Sequence, residues 1–170
     1  MKIRSGFVSN SSSSSFLIIN NQGDKITNAD KEMQFLRDEA YRKGCLVFPN
    51  PRGRLEFGWE WEKSHDIISK INFLTILFYK SERDEQSTKL KKILEEYFKC
   101  EIEYDYDIMN NNSAYIDHQS IEMIGYELFF EEDIENFIFM KKSYLVTGND
   151  NEYPPAGFLT AQETMKRIPS

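Results

Sequence analysis

From residue 16 onward the chain alternates short apolar runs with polar breaks, and their spacing predicts most of its elements. Phe16 to Asn20 reads as a short buried strand, followed by the turn chemistry of "NNQGD". A helix is expected from about Asn28 to Lys43, with Met33, Leu36, Ala40 and Tyr41 on its inner face. Gly44 is placed to end it. "CLVFPNPRGRLEFGWEWE" reads as a hairpin: Leu46 to Phe48, a turn at Asn50 to Gly53, then Leu55 to Trp61. In the second arm Leu55, Phe57, Trp59 and Trp61 share one face, and Glu56, Gly58, Glu60 and Glu62 the other.

Ser64 is expected to cap a helix that runs to about Tyr79. Its apolar residues (Ile67, Ile68, Ile71, Phe73, Leu74, Ile76, Leu77 and Phe78) go nearly all the way round, which predicts a central helix covered on most sides. A plainer amphipathic helix follows over Asp84 to Phe98, with Leu90, Ile93, Leu94, Tyr97 and Phe98 inward. "EIEYDYDI" alternates as a strand, "MNNNS" is a loop and "AYIDHQS" a further strand. Glu131 to Met140 reads as a short helix carrying Ile134, Phe137 and Ile138, and "SYLVTGNDN" as a strand ending in a turn. After Pro154 and Pro155, Thr160 to Glu163 fits a capping box that opens a last short helix. Helices and strands are interspersed without a βαβ rhythm. The expectation is a single compact α+β domain at residues 16–170, with a mixed or mostly antiparallel sheet packed against three to five helices. Residues 1–15 form a Ser-rich N-terminal arm.

Composition narrows the function classes. At 170 residues the chain can bury a core without metals or disulfides, and 13 Phe, 9 Tyr and 2 Trp point to a core built on rings. A net charge of −7 argues against a general affinity for nucleic-acid phosphates or anionic lipid. The densest basic group, Lys89, Lys91 and Lys92, reads as a solvated helix face. Cys45 and Cys100 form no metal-ligand spacing and read as buried thiols of a reducing compartment. The most apolar window, "IISKINFLTILFY", carries Lys70 and Asn72 and is too short to cross a membrane. A cytoplasmic protein of a bacterial host cell, without cofactor or metal, is expected. The pattern leaves its oligomeric state open.

The opening "RSGFVSNSSSSSF" resembles the N-terminus of uncharacterised proteins of bacteriophages and prophage-bearing bacteria. "FGWEWE" with the helix after it, "YIDHQS", "FIF" and "SYLVTGNDN" are similar to segments of one such phage family. The resemblance covers most of the chain and implies a viral or mobile-element setting. It supplies no catalytic residues.

The familiar signatures of phosphate-binding loops, nucleophile elbows and zinc sites are missing. The sharpest polar candidate is "IDHQS". His118 beside Asp117 invites a charge-oriented base. Strand alternation, however, puts Asp117 with Gln119 on one face and His118 on the other, so a partner from another segment is required. The plainer reading is a half-buried, hydrogen-bonded histidine. Glu60 is the acidic candidate, its strand anchored by Trp59 and Trp61. Asn149 and Asp150 offer an amide and a carboxylate beside Gly148, although a tight turn explains them too. Glu101, Glu103, Asp105 and Asp107 would line one strand face about 6 to 7 Å apart, as a metal or basic-partner site or as the solvated face of an edge strand. Of the serine tract, Ser12 and Ser13 are the candidate ligand contacts. The run reads as an ordered arm held close to Asp117–Gln119 or Gly148–Asp150, with a mobile tag as the alternative.

Three function classes remain from the sequence. The first is an accessory protein that binds and modulates a host protein. The second is a small enzyme using His118 with Asp117, Glu60 or Asp150 on a nucleotide or modified residue. The third is a virion or assembly component.

Overall fold

The computed structural model describes residues 2–5, 14–20, 22–58, 60–111, 113–116 and 130–148. Within them the chain is α+β, with five helices and three small sheets. The strands are β1 (Lys2–Ser5), β2 (Ser14–Ile19), β3 (Cys45–Phe48), β4 (Glu56–Phe57), β5 (Glu62–Ser64), β6 (Glu101–Tyr104), β7 (Tyr115–Ile116) and β8 (Tyr144–Gly148). The helices are α1 (Lys31–Lys43), α2 (Ile67–Lys80), α3 (Asp84–Phe98), α4 (Tyr106–Asn110) and α5 (Glu131–Phe139).

A four-stranded antiparallel sheet has the order β1-β2-β8-β5. The apolar run that follows the serines occupies its middle, and the period of two sorts that run. Leu17, Ile19 and Leu145 join the main core, whereas Ile18 and Val146 meet Trp61 and Tyr144 in a separate small cluster. Ser14 and Ser15 belong to β2, in register with Gly148 and Thr147, so this end of the serine tract is sheet backbone beside the β8 terminus.

Helix α2 runs through the main core. Every residue from Ile67 to Phe78 is buried, and the helix packs against α1, α3, α5, β3 and β7. The all-round apolar pattern predicted this position. Its N-terminus differs from the expectation. Ser64 closes β5 and is buried, and Asp66 is the cap, its carboxylate accepting the Ser69 amide at 2.7 Å. Helix α1 buries Met33, Leu36 and Ala40, but Tyr41 is 94% exposed and does not belong to the inner face. Its neighbour in the turn, Ala40, takes the buried position, and one residue is about 100° of rotation. Gly44 ends α1 at φ 74°, its amide bonded to the Ala40 carbonyl.

The expected hairpin over residues 46–61 does not form. β3 pairs in parallel with β6, and β4 in parallel with β7. The Asn50–Arg54 loop between them is clasped by α2 instead of by a partner strand. Asn72 Oδ1 accepts the Asn50 amide at 2.7 Å, and its Nδ2 donates to the carbonyls of Asn50 and Arg54 at 2.8 and 3.0 Å. Ser69 Oγ accepts the Arg54 amide at 2.8 Å. The loop lies so close that a Cβ on Gly53 would meet Ile68 Cγ2 at 2.6 Å and the Ser69 nitrogen at 2.8 Å. The aromatic face of the expected arm divides accordingly. Phe57 packs edge-on against Phe73 of α2 at 5.1 Å, while Trp61 turns to Val146 on the other sheet.

"EIEYDYDI" is also not one strand. β6 stops at Tyr104, and the Asp105 carboxylate accepts the Ile108 amide at 3.0 Å to open α4. The expected stripe of four carboxylates is therefore cut in two. An aspartate that bonds its local backbone competes with a strand ladder and wins here.

Candidate functional site

Glu60 is the one candidate catalytic residue that falls among the described residues. It is exposed, and its backbone carbonyl accepts the Thr147 hydroxyl at 3.2 Å. Trp61, its expected anchor, is half-buried and lies against Gly148 so closely that a Cβ there would meet the indole at 2.3 Å. Asp117, His118, Gln119, Asn149, Asp150, Ser12 and Ser13 lie outside the described residues, as do Trp59 and the last predicted helix. The described flanks do converge. β7 ends at Ile116 beside Phe57, and β8 ends at Gly148 beside Trp61, so both run up to the 56–61 segment.

Sequence reasoning missed a polar junction at the start of α2. A cavity of about 350 Å³ is lined by Asp30, Lys31, Glu32, His65, Asp66 and Lys141, among others. Glu32 comes from α1, and its Oε2 accepts the Ile67 amide at 2.9 Å. Together with Asp66 it places two carboxylates at the positive end of the helix. Burial, and then the nearby Asp66 charge, raise the Glu32 carboxyl above its usual range. Burial, and then the Lys70 and Lys63 charges, lower His65, whose ring lies tilted 4.6 Å from Tyr144.

Lys70 lies one turn further into α2 and is fully buried. Its Nζ donates to the Ser143 carbonyl at 3.3 Å, and burial lowers its pKa to about 7 against the pull of Asp66 and Glu32. Ser143 Oγ in turn accepts the Asn20 amide at 2.9 Å, so one buried amine links the central helix to the β2 and β8 ends. The carboxylates here are engaged in closing α2, and the amine faces a backbone carbonyl. The arrangement acts as a joint between α1, α2 and the antiparallel sheet. A lysine inside an all-round apolar helix was the available signal, since such a position must find partners or give up its charge.

The second concavity is a groove of about 570 Å³ between α3 and β6, lined by Asp84, Ser87, Thr88, Lys91, Ile102, Glu103, Tyr104 and Tyr106. Tyr104 forms its floor. The phenol donates to the Ser87 carbonyl at 2.9 Å, and burial pushes its pKa up to about 12. Tyr106 stands at the rim, 54% exposed, with its ring 5.6 Å from that of Tyr79. Asp84, Glu101, Glu103 and Asp107 are all exposed around this groove or beside its strand. Glu101 and Glu103 are the surviving half of the carboxylate stripe, and no metal-binding group of three or more His, Cys, Asp or Glu occurs among the described residues. Cys45 and Cys100, at the start of β3 and just before β6, are free and half-buried, and burial raises the Cys100 thiol. Among the described residues, no helix is long and apolar enough to cross a membrane.

Comparison with known proteins returns no matching family model, no matching curated protein and no matching solved structure.

Proposed function

We propose that this chain is an accessory protein of a phage or other mobile element that acts by binding a protein of the bacterial host. One observation supports this reading best, the acidic, tyrosine-bearing groove between α3 and β6. Tyrosine combines a large apolar face with a polar tip and is favoured where protein surfaces meet. The exposed carboxylates of Asp84 and Glu103 in the groove lining steer a basic partner toward it and disfavour nucleic acid. The test is a paired capture from bacterial lysate with the wild-type protein and with Glu103→Lys/Tyr106→Ala. A host protein retained by the first and lost by the second is the expected result. Capture indifferent to the groove removes the reading.

A second reading, a small enzyme centred on His118 with Asp117 and Glu60, draws on the approach of the β7 and β8 ends to the Glu60 segment. Under it, His118→Ala abolishes an activity on a nucleotide or modified residue and leaves the thermal unfolding curve in place.

A further inference from the structure

We propose that Cys45 and Cys100 form a thiol pair that closes to an intramolecular disulfide by exchange with a small-molecule disulfide, a modification site independent of the protein-binding reading. The two cysteines occupy equivalent places. Helix α1 ends at Gly44, φ 74°, and the next residue opens β3; helix α3 ends at Lys99, φ 56°, and Cys100 leads directly into β6. A left-handed residue turns the chain sharply out of a helix, so each thiol lies where a helix gives way to a strand. Parallel pairing of β3 with β6 then brings those two places to the same end of the strand pair.

The register sets their separation. Cys45 is opposite Glu101, whose amide donates to the Gly44 carbonyl at 3.1 Å, so Cys100 stands one residue out of register with Cys45. For strands about 4.8 Å apart with a rise of about 3.3 Å per residue, the two Cα atoms are about 5.8 Å apart. That falls within the roughly 4.4 to 6.8 Å that a disulfide spans. Cys100 precedes β6, so strand alternation does not dictate the face its side chain takes. Its sulfur lies against the Leu46 amide and feels the charge of Cys45, so it is turned toward β3. Both thiols are free.

The two thiols differ in readiness. Cys100 packs against the main core and burial raises its pKa, which makes it the poorer first nucleophile. Cys45 is half-buried beside exposed Gly44, where an added Cβ would meet nothing within 4 Å, so a small reagent has room to approach. The Cys45 thiolate attacks an incoming disulfide RSSR, the S–S bond breaks, and the departing RS⁻ takes up the proton that Cys45 released. The Cys100 thiolate then attacks the Cys45 sulfur and expels the second RS⁻, which takes up the Cys100 proton. Two thiols are oxidised by two electrons, and one RSSR is reduced to two RSH. The new bond ties the α1–β3 corner to the α3–β6 corner and closes a loop over residues 45–100 that contains α2. In a reducing compartment the pair rests as thiols, and a bond formed there is transient and reports oxidation.

Oxidised glutathione is the probe. The native full-length chain is incubated with it, free thiols are alkylated, and intact mass and peptide maps are read. The expected product is a monomer two hydrogens lighter, with the Cys45 and Cys100 peptides linked and both thiols restored by dithiothreitol. Its Tm should exceed that of the reduced protein by about 5 to 15 °C, because closing a loop of this length restricts the unfolded chain. Cys100→Ser should stop at a glutathione mixed disulfide on Cys45, whereas Cys45→Ser should react more slowly, at Cys100; the reverse order overturns Cys45 as the first nucleophile. Separate glutathione adducts on both cysteines of the wild-type chain, disulfide-linked dimers, or both thiols still open to alkylation each overturn the pair. A linked product whose Tm is no higher than that of the reduced protein overturns closure within the native fold.

Discussion

Replacing Lys70 with methionine should stabilise the protein at neutral pH, and the gain should shrink as pH rises. The side chains have similar length and the site is fully buried, so Lys70→Met changes charge more than volume. The folded amine titrates near 7 and the unfolded one near its ordinary 10.5. Below pH 7 both states carry the proton, and the fold bears the whole cost of a buried cation. At about 1.4 kcal/mol per pH unit that cost is at most about 5 kcal/mol. Between pH 7 and 10.5 the unfolded chain binds more protons than the native one, so wild-type stability rises with pH across that window. From pH 7 to pH 9 the rise relative to Lys70→Met should be about 2 kcal/mol, or about 4 to 8 °C in Tm for a chain of this size. The variant loses the bond from Nζ to the Ser143 carbonyl, about 1 kcal/mol, which offsets part of its gain. Cys100 and Tyr104, which burial moves to more alkaline pH, are common to both proteins and cancel in the comparison, whereas the pull of the Lys70 charge on His65 and Glu32 is lost in the variant. Urea unfolding of the pair at pH 7, 8 and 9, with unchanged m-values, is the assay. Parallel stability curves across that range would refute a buried, neutralised Lys70.

Leu74 is fully buried in α2, and Leu74→Ala should cost about 2 to 5 kcal/mol by urea denaturation, as a large-to-small change in a packed core does. Asn72→Ala leaves the Asn50 amide and two carbonyls without their partner, and should cost about 2 to 4 kcal/mol while disturbing the 50–54 resonances first. Gly148→Ala drives a methyl into the Trp61 indole, so Trp61 fluorescence should shift together with a loss of thermal stability. Amides of Ser14 and Ser15 should exchange more slowly than those of a free peptide, because β2 pairs there with β8; exchange at the free-peptide rate would contradict that pairing.

Local pattern alone located the four longer helices, although it read the residues of α4 as strand and loop. The apolar spacing over Asp84 to Phe98 marks α3 to the residue, and the all-round apolar run marks α2 as the central helix, because a side chain's face follows directly from its position in a 3.6-residue turn. Gly44 marks the end of α1 for an equally local reason, its left-handed backbone. Strand partners carry no such mark. The "CLVFPNPRGRLEFGWEWE" segment has the alternation and the turn residues of a hairpin, yet its arms pair with β6 and β7. The Asn50–Arg54 backbone finds its hydrogen bonds on Asn72 and Ser69, some twenty residues away. Alternation reports that one face is buried and leaves open what buries it. The same limit applies to polar sites. Lys70 and Asn72 stand out in the sequence only as interruptions of an apolar window. Their roles depend on the Ser143 carbonyl and on the Asn50–Arg54 loop, which tertiary packing alone brings within reach. The acidic groove likewise needs the turn at Asp105, where a carboxylate bonds its own backbone, ends the strand and brings Tyr106 to the rim.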